Sequence, residues 1–222
     1  MRLENLSSAG AYELGGTSLV VGAQHFLGAL LCLPEVTRNV SNDWSAALIR
    51  HAALLAAALG LAQVVAAVRQ HMAEDGPKHM PLSLVAFLVG LHAISILNCV
   101  PMNLHYSTEY AYVLMVFAMH LSGFAANFLS PVAWALDDSY LPHLPVLWLI
   151  GTVDAAIAVV RGPLLFYSLV LLKRLWFLDR AWLLLLTGTV GTILTVPVSI
   201  LLLTASLTRF RKLMGRAQIK DD

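Results

Sequence analysis

The sequence predicts an all-α fold: a polytopic membrane helix bundle of about six transmembrane helices, in a single domain over residues 1–222. Composition is the first reason, because 59% of the residues are hydrophobic, only 12% are charged, and the mean hydropathy is +0.75. These values lie outside the range of soluble domains. The second reason is that apolar runs long enough to cross a bilayer recur along the chain, separated by short loops rich in Pro, Gly and charge.

The helices follow from the positions of these apolar runs and the loops between them. The predicted spans cover residues 11–33, 44–68, 81–100, 109–130, 144–172 and 181–208. Pro34 and Pro101 are predicted to open the loops after the first and third spans, because proline removes a backbone donor and disfavours a continuing helix. No loop is long enough to form a second domain, and the first run is interpreted as a retained helix and not as a signal peptide.

The distribution of basic residues predicts how the bundle is oriented. With six spans both termini share a side, and that side carries eight Lys and Arg residues against five on the other. The positive-inside rule therefore places both termini in the cytosol, or in the matrix if the membrane is the mitochondrial inner membrane. The endoplasmic reticulum and the mitochondrial inner membrane both remain open. A net charge of +1 gives no indication of a nucleic-acid partner.

Two charged residues, Asp154 and Arg161, lie inside the fifth predicted span. A charge near the centre of a membrane helix costs roughly 2.5 to 3.5 kcal/mol on insertion scales. Groups within the bundle must therefore receive both side chains, and these groups define the candidate functional site.

A polar core is predicted from depth along the helices. His92, His120 and Asp154 each lie about ten or eleven residues into their spans, near the middle of the membrane. Asn127 follows His120 on the same face of the fourth span. We expect these side chains to converge, with Asp154 in hydrogen-bond reach of a polar side chain of the third or fourth span. Taken singly, His92 or His120 is more typical of a hydrogen-bonded packing residue than of a catalytic one.

A lipid-binding set is predicted around Arg161, in the half of the bilayer away from the termini. His25, Arg50 and His51 are expected at similar depth. The guanidinium needs an anion or several carbonyl groups. The first candidate is the headgroup of an anionic phospholipid drawn between helices, and the second is a set of backbone carbonyls freed by a nearby proline.

Apart from a phospholipid, the sequence indicates no bound cofactor. No helix carries two metal ligands at the spacing of a metal site, so we expect no bound metal. Cys32 and Cys99 lie in apolar segments and are expected to be free, buried thiols. A bound phospholipid is the expected ligand.

Three short motifs follow one another between residues 44 and 212. They are "LHAISIL" beginning at Leu91, "HLSGFAAN" beginning at His120, and "AVVRGPLLFY" ending at Tyr167. Their order resembles the TLC domain family, the lipid-handling membrane domain shared by ceramide synthases and translocation-associated membrane proteins. In that family the first motif carries a His-His pair, the second an acid and an Asn, and the third an Arg, a Pro and a Tyr.

The resemblance implies a helix bundle with a lipid-accepting interior. In ceramide synthases acyl transfer is attributed to the His pair and nearby acids, but here Leu91 replaces the first histidine and His120 replaces the acid. We therefore expect a non-catalytic, lipid-binding multi-pass protein that serves as an accessory or scaffolding subunit among membrane lipids and other membrane subunits.

Two other functions remain as alternatives. The first is a TLC-type acyltransferase with His92 as general base, oriented by His120 or Asp154. The second is a small-solute or proton carrier that uses the same three side chains at the middle of the membrane.

Overall fold

A computed structural model describes residues 16–38, 43–72, 81–137 and 144–218, and all of the regular structure in these ranges is helical. We number the α-helices in chain order; a short π-helical segment, Ala125–Leu129, joins α4 to α5. The α-helices are α1 (Gly16–Arg38), α2 (Asp43–Met72), α3 (Leu82–His105), α4 (Tyr110–Phe124), α5 (Ser130–Asp137), α6 (Leu144–Leu178) and α7 (Trp182–Gln218).

Within the described ranges, six segments are long and apolar enough to cross a membrane, and the protein is an integral, multi-pass membrane protein. They are Leu19–Thr37, Trp44–Met72, Leu82–His105, Tyr110–Ala133, Pro145–Leu178 and Trp182–Met214. The predicted all-α fold and the predicted number of spans are therefore confirmed. Residues 11–15 of the first predicted span lie outside the described residues.

The helices extend beyond the ends predicted from the loops. Pro34 lies inside α1 and Pro101 inside α3, so the prediction that these prolines begin loops is wrong. A proline removes only one backbone donor, and a helix in an apolar environment keeps its remaining hydrogen bonds because no water replaces them. Pro163 and Pro197 likewise lie inside α6 and α7.

α4 occupies the centre of the bundle. It packs against α1, α2 and α6, while α3 contacts α2 and α7, and α7 lies mainly against α6. Its buried residues Tyr112, Val113 and Val116 belong to the largest apolar core, together with residues of α1, α2, α3, α6 and α7. α3 and α7 therefore lie at the periphery of the bundle.

Trp176 lies near the end of the fifth span but is not exposed there. Its side chain is buried, and an added Cβ at Gly188 of α7 would overlap its ring. Trp44 and Trp182 are exposed at the ends of their spans, as side chains at a membrane surface are. Because Gly188 has no side chain, the Trp176 ring can pack between α6 and α7.

Candidate functional site

The first buried polar cluster is a pair of histidines between α1 and α4. The Nδ1 atoms of His25 and His120 lie 3.2 Å apart, and both side chains are buried. The Nε2 atom of His120 lies 2.9 Å from the carbonyl oxygen of Ala52 in α2. The pair therefore joins α1, α2 and α4 through polar contacts in the interior.

The contacts of His120 determine the tautomers of the neutral pair. A carbonyl oxygen only accepts, so Nε2 of His120 carries the proton and donates it to Ala52. Nδ1 of a neutral His120 then accepts, and Nδ1 of His25 donates to it. The remaining ring nitrogen, Nε2 of His25, is buried and has no hydrogen-bond partner in the described part of the chain.

Two glycines make room for the histidine pair. An added Cβ at Gly28 would overlap the His120 ring, and one at Gly123 would overlap the His25 ring. Each helix thus carries a His-x-x-Gly segment, "HFLG" at 25–28 and "HLSG" at 120–123, and each histidine packs on the glycine of the other helix. This repeated spacing is a sequence signal for the contact that our sequence analysis did not use.

The second cluster lies between α6 and α7. Asp154 is buried, and its Oδ2 atom forms an ion pair with Nη1 of Arg209 at 3.3 Å. The same nitrogen of Arg209 donates to Ser130 at 3.0 Å, and Ser206 donates a hydrogen bond to the Asp154 carboxylate. The carboxylate therefore joins α6 to α7, and Arg209 extends the cluster to the start of α5.

Arg161 lies two helical turns from Asp154 on α6 and is only 7% exposed. It interacts electrostatically with Asp154 and donates to the carbonyl oxygen of Ser199 at 3.4 Å. It lies midway along the span Pro145–Leu178, and its position in the half of the bilayer away from the termini stays a prediction.

Asp154 does not converge with His92 and His120 as predicted. His120 contacts α1 and α2, and Asp154 faces α7. His92 lies against Gly60 of α2 and acts electrostatically on His25 of the histidine pair. The partner of Asp154 comes from the last span and not from the third or fourth. Position along a helix predicts the level of a side chain, whereas the rotation of the helix about its axis determines its neighbours, and Asp154 faces α7.

Asn127, the fourth residue of the predicted polar core, lies in the π-helical segment. Its side-chain amide donates to the carbonyl oxygen of Gly123 at 2.8 Å. A π-helical turn holds about one residue more than an α-helical turn, so some backbone carbonyls lose their usual hydrogen-bond partners. Such segments are frequent at functional sites. Here the segment lies between the histidine pair and Ser130 of the second cluster.

The predicted lipid-binding set is also separated. Nε of Arg50 donates to Ser107 at 3.0 Å, His51 contacts the carbonyl oxygen of Ala47 at 2.6 Å, and His25 belongs to the histidine pair. Arg161 alone lies at the α6–α7 contact. The four side chains therefore do not line one cavity, because Arg50 and His51 lie near the start of α2 and Arg50 contacts Ser107 of the α3–α4 turn.

A third polar group joins two turns at the membrane end away from the termini. The Tyr106 hydroxyl donates to Asp179 at 2.9 Å, and the Tyr112 hydroxyl donates to Asn103 at 2.8 Å. Burial, followed by the hydrogen bond and the negative charge of Asp179, raises the pKa of Tyr106 to about 12. This group ties the α3–α4 turn to the α6–α7 turn.

Among the described residues, no three His, Cys, Asp or Glu side chains lie together as a metal site would require. No protein-family model matches the chain, and neither a curated protein nor a solved structure matches it. The resemblance to the TLC family thus stays a prediction. The fold and the buried clusters define a multi-pass membrane helix bundle with charges held between its last two spans.

Proposed function

We propose that the protein is a non-catalytic, lipid-binding membrane component that acts as an accessory or scaffolding subunit of a larger membrane assembly. We further propose that both termini face the cytosol or the matrix, in the endoplasmic reticulum or the mitochondrial inner membrane. The lysine and arginine count supports this orientation.

One observation carries the proposal: α3 and α7 use little of their surface inside the bundle. In the most apolar stretch of α3 only 11% of the residues are buried inside the bundle, and in that of α7 only 6%. The corresponding share is 33% in the first span and in the fourth span. The two helices contact each other, so their outer faces are neighbours. We call the outward residues of α3 and α7 the α3–α7 face; Leu97 and Leu186 are examples.

The polar residues of α7 are compatible with such a face. The hydroxyl groups of Thr189, Thr192, Thr195 and Thr204 each donate to a backbone carbonyl four residues earlier in α7. Their hydrogen bonds are satisfied within the helix, so they can face lipid or another helix at small cost. Small and β-branched side chains also allow a second helix to approach closely.

Site-specific photo-crosslinking in native membranes tests the proposal. A photoreactive amino acid replaces Leu97 or Leu186 on the α3–α7 face, and Phe166 of α6, which is similarly exposed, serves as the control. We expect protein adducts from the first two positions and mainly lipid adducts from Phe166. Lipid adducts alone at all three positions, together with purification as an isolated chain in mild detergent, would contradict the subunit proposal.

The carrier remains a second candidate, because Asp154 and Arg161 are charged groups inside a span. Flux of protons or small solutes into liposomes that contain the purified chain would favour it. For the acyltransferase, Asp154 pairs with Arg209 of α7, which leaves His120 and not Asp154 as the side chain to orient His92. Turnover of acyl-CoA by the isolated chain would favour that alternative.

A further inference from the structure

The histidine pair contains a hydrogen-bond acceptor that the described part of the chain does not use. His120 donates to Ala52 and His25 donates to His120, so the second ring nitrogen of His25, Nε2, carries a lone pair and no proton. Among the described residues this buried atom has no hydrogen-bond partner, and His25 as a whole is more than nine-tenths buried. Because a buried acceptor without a donor is unfavourable, the site favours a ligand that donates a hydrogen bond.

The surroundings of His25 favour a donor without charge. In the described ranges, two histidines, His120 and His92, act electrostatically on His25, and neither can supply a negative charge. An ammonium group would therefore lie beside the pair without a counter-charge, which is unfavourable inside a membrane span. An uncharged hydroxyl group satisfies the acceptor without this cost.

The ring nitrogens of the pair offer one free acceptor. Nδ1 of both histidines and Nε2 of His120 already take part in hydrogen bonds. A buried water molecule typically makes about three hydrogen bonds, so a water at Nε2 of His25 would find one partner in the pair and leave its second O–H group unused there. The hydroxyl group of a lipid has a single O–H to donate, and its hydrocarbon part suits an apolar surrounding.

His25 lies inside the first span and not at its end. It follows Leu19, where the span begins, by six residues, which is about 9 Å along the helix axis. A phosphate or ammonium headgroup drawn to this depth would lose its hydration, whereas a neutral lipid has no charge to desolvate. The depth thus favours a neutral lipid with a free hydroxyl group.

The outer surface beside the histidine pair is apolar. Phe26 and Phe124 directly follow the histidine of α1 and the glycine of α4 that pack together, and the centroids of their rings are 5.1 Å apart. Phe26 is exposed on the outside of the bundle, as are Leu27 and Leu30 further along α1. Acyl chains can therefore pack on α1 next to the buried nitrogen.

We propose that Nε2 of His25 accepts a hydrogen bond from the free hydroxyl group of a diacylglycerol, whose acyl chains pack on the apolar surface beside Phe26. This inference rests on the lipid-binding part of the proposed function and adds the site, the class of lipid and the hydrogen bond that selects it. Flexible acyl chains let this hydroxyl group enter between packed helices, whereas a sterol carries its hydroxyl on a rigid ring system. Rotation of the exposed Phe26 ring admits the hydroxyl group, since exposed side chains change rotamer within nanoseconds.

The first test measures photolabelling of the purified chain in nanodiscs by a diacylglycerol with a photoreactive acyl chain. Unlabelled diacylglycerol and its methyl ether, which lacks the O–H group, compete for the site. We expect the ether to compete about tenfold more weakly, which corresponds to about 1.4 kcal/mol.

The matched variants separate the acceptor from the rest of the pair. In His25→Asn the amide N–H lies near the position of Nδ1 and can still donate to His120, but the acceptor at Nε2 is lost. We expect about tenfold weaker labelling, with no remaining difference between the alcohol and the ether. His105→Asn replaces an exposed histidine at the end of α3 and should label within about twofold of the parent.

Four results would overturn the inference, and they have different meanings. Equal competition by the alcohol and the ether, or labelling of His25→Asn equal to that of the parent, would reject the hydrogen bond but not lipid binding. Stronger competition by cholesterol than by diacylglycerol would identify a sterol as the occupant. No saturable labelling by photoreactive diacylglycerol or phosphatidylcholine would reject both this site and the lipid-binding part of the proposed function.

A second measurement needs no variant and covers the case in which His25→Asn does not fold. The peptides of the parent that are cross-linked to the photoreactive diacylglycerol are mapped by mass spectrometry. We expect adducts on α1 and α4 near Phe26 and Phe124, suppressed by excess diacylglycerol and not by its ether. Adducts confined to α6 and α7, or adducts that both competitors suppress equally, would overturn the proposal.

Discussion

At the scale of single residues, Asp154 is the acceptor that holds the α6–α7 cluster together. Asp154→Leu leaves Arg209 and Arg161 without their carboxylate and should lower the free energy of unfolding by about 2–3 kcal/mol. Asp154→Asn keeps an acceptor oxygen but loses the charge, so we expect a loss of about 1–2 kcal/mol. The ion pair with Arg209 is the reason that asparagine does not replace Asp154 without loss.

Unfolding in mixed micelles measures both variants. Combining Asp154→Leu with Arg209→Leu removes both partners, so the double variant should lose less stability than the sum of the two single variants. Strictly additive losses would show that the ion pair contributes no coupling energy.

Tyr106 provides a pH-dependent contact outside the membrane spans. Its pKa is raised to about 12 in the folded protein, against about 10 in an unfolded chain. A raised pKa means that the contribution to stability is complete below pH about 10 and is lost as pH rises through about 12. The melting temperature of the parent should therefore fall more steeply than that of Tyr106→Phe over this interval.

Thermal melts at several alkaline pH values measure this difference. Tyr167→Phe, which removes an exposed hydroxyl in α6, serves as the control and should follow the parent. Parallel curves for the parent and Tyr106→Phe would contradict the assignment.

At the scale of helices, the reciprocal packing of histidine on glycine determines how closely α1 and α4 approach. Gly28→Ala and Gly123→Ala each place a methyl group where an imidazole lies, and each should destabilise the protein by about 1–3 kcal/mol. Gly90→Ala is the matched control, because nothing lies within 4 Å of its added Cβ and alanine favours helix.

A compensating variant separates steric overlap from a general effect of alanine. His120→Ala removes the ring that Gly28→Ala would meet, so the double variant should lose less than the two single losses combined. Thermal unfolding in detergent provides the comparison. A loss at Gly90→Ala equal to that at Gly28→Ala would contradict the packing argument.

The number and order of the helices could be predicted from the sequence, because crossing a membrane requires a minimum apolar length that any helix must show in its residues. The contacts of the buried polar groups could not be predicted in this way. Depth along a helix fixes one coordinate, whereas the neighbour of His120 or Asp154 also depends on rotation about the helix axis. Arg209 was interpreted only as a basic residue at the membrane surface, although its long side chain reaches inward to Asp154.

At the scale of the whole molecule, the six spans found among the described residues predict that the two termini share one side of the membrane. Protease protection of N- and C-terminal tags in sealed vesicles should give the same result for both tags, with accessibility from the cytosolic or matrix side. Opposite accessibility of the two tags would show that the chain has an odd number of spans. Accessibility of both tags from the other side would show that the orientation is the reverse of the predicted one.

The last two spans are much longer than a bilayer is thick. They contain 34 and 33 residues, against 24 in the third span; at about 1.5 Å per residue this is roughly 50 Å against 36 Å, and a hydrocarbon core is about 30 Å thick. The α6–α7 hairpin must therefore tilt, project into the water or stretch the lipids around it, while α3 needs little adjustment. Where the lipids stretch, the membrane is thicker beside α6 and α7 than beside α3, which favours contact with other proteins or lipids of matching length on the long side.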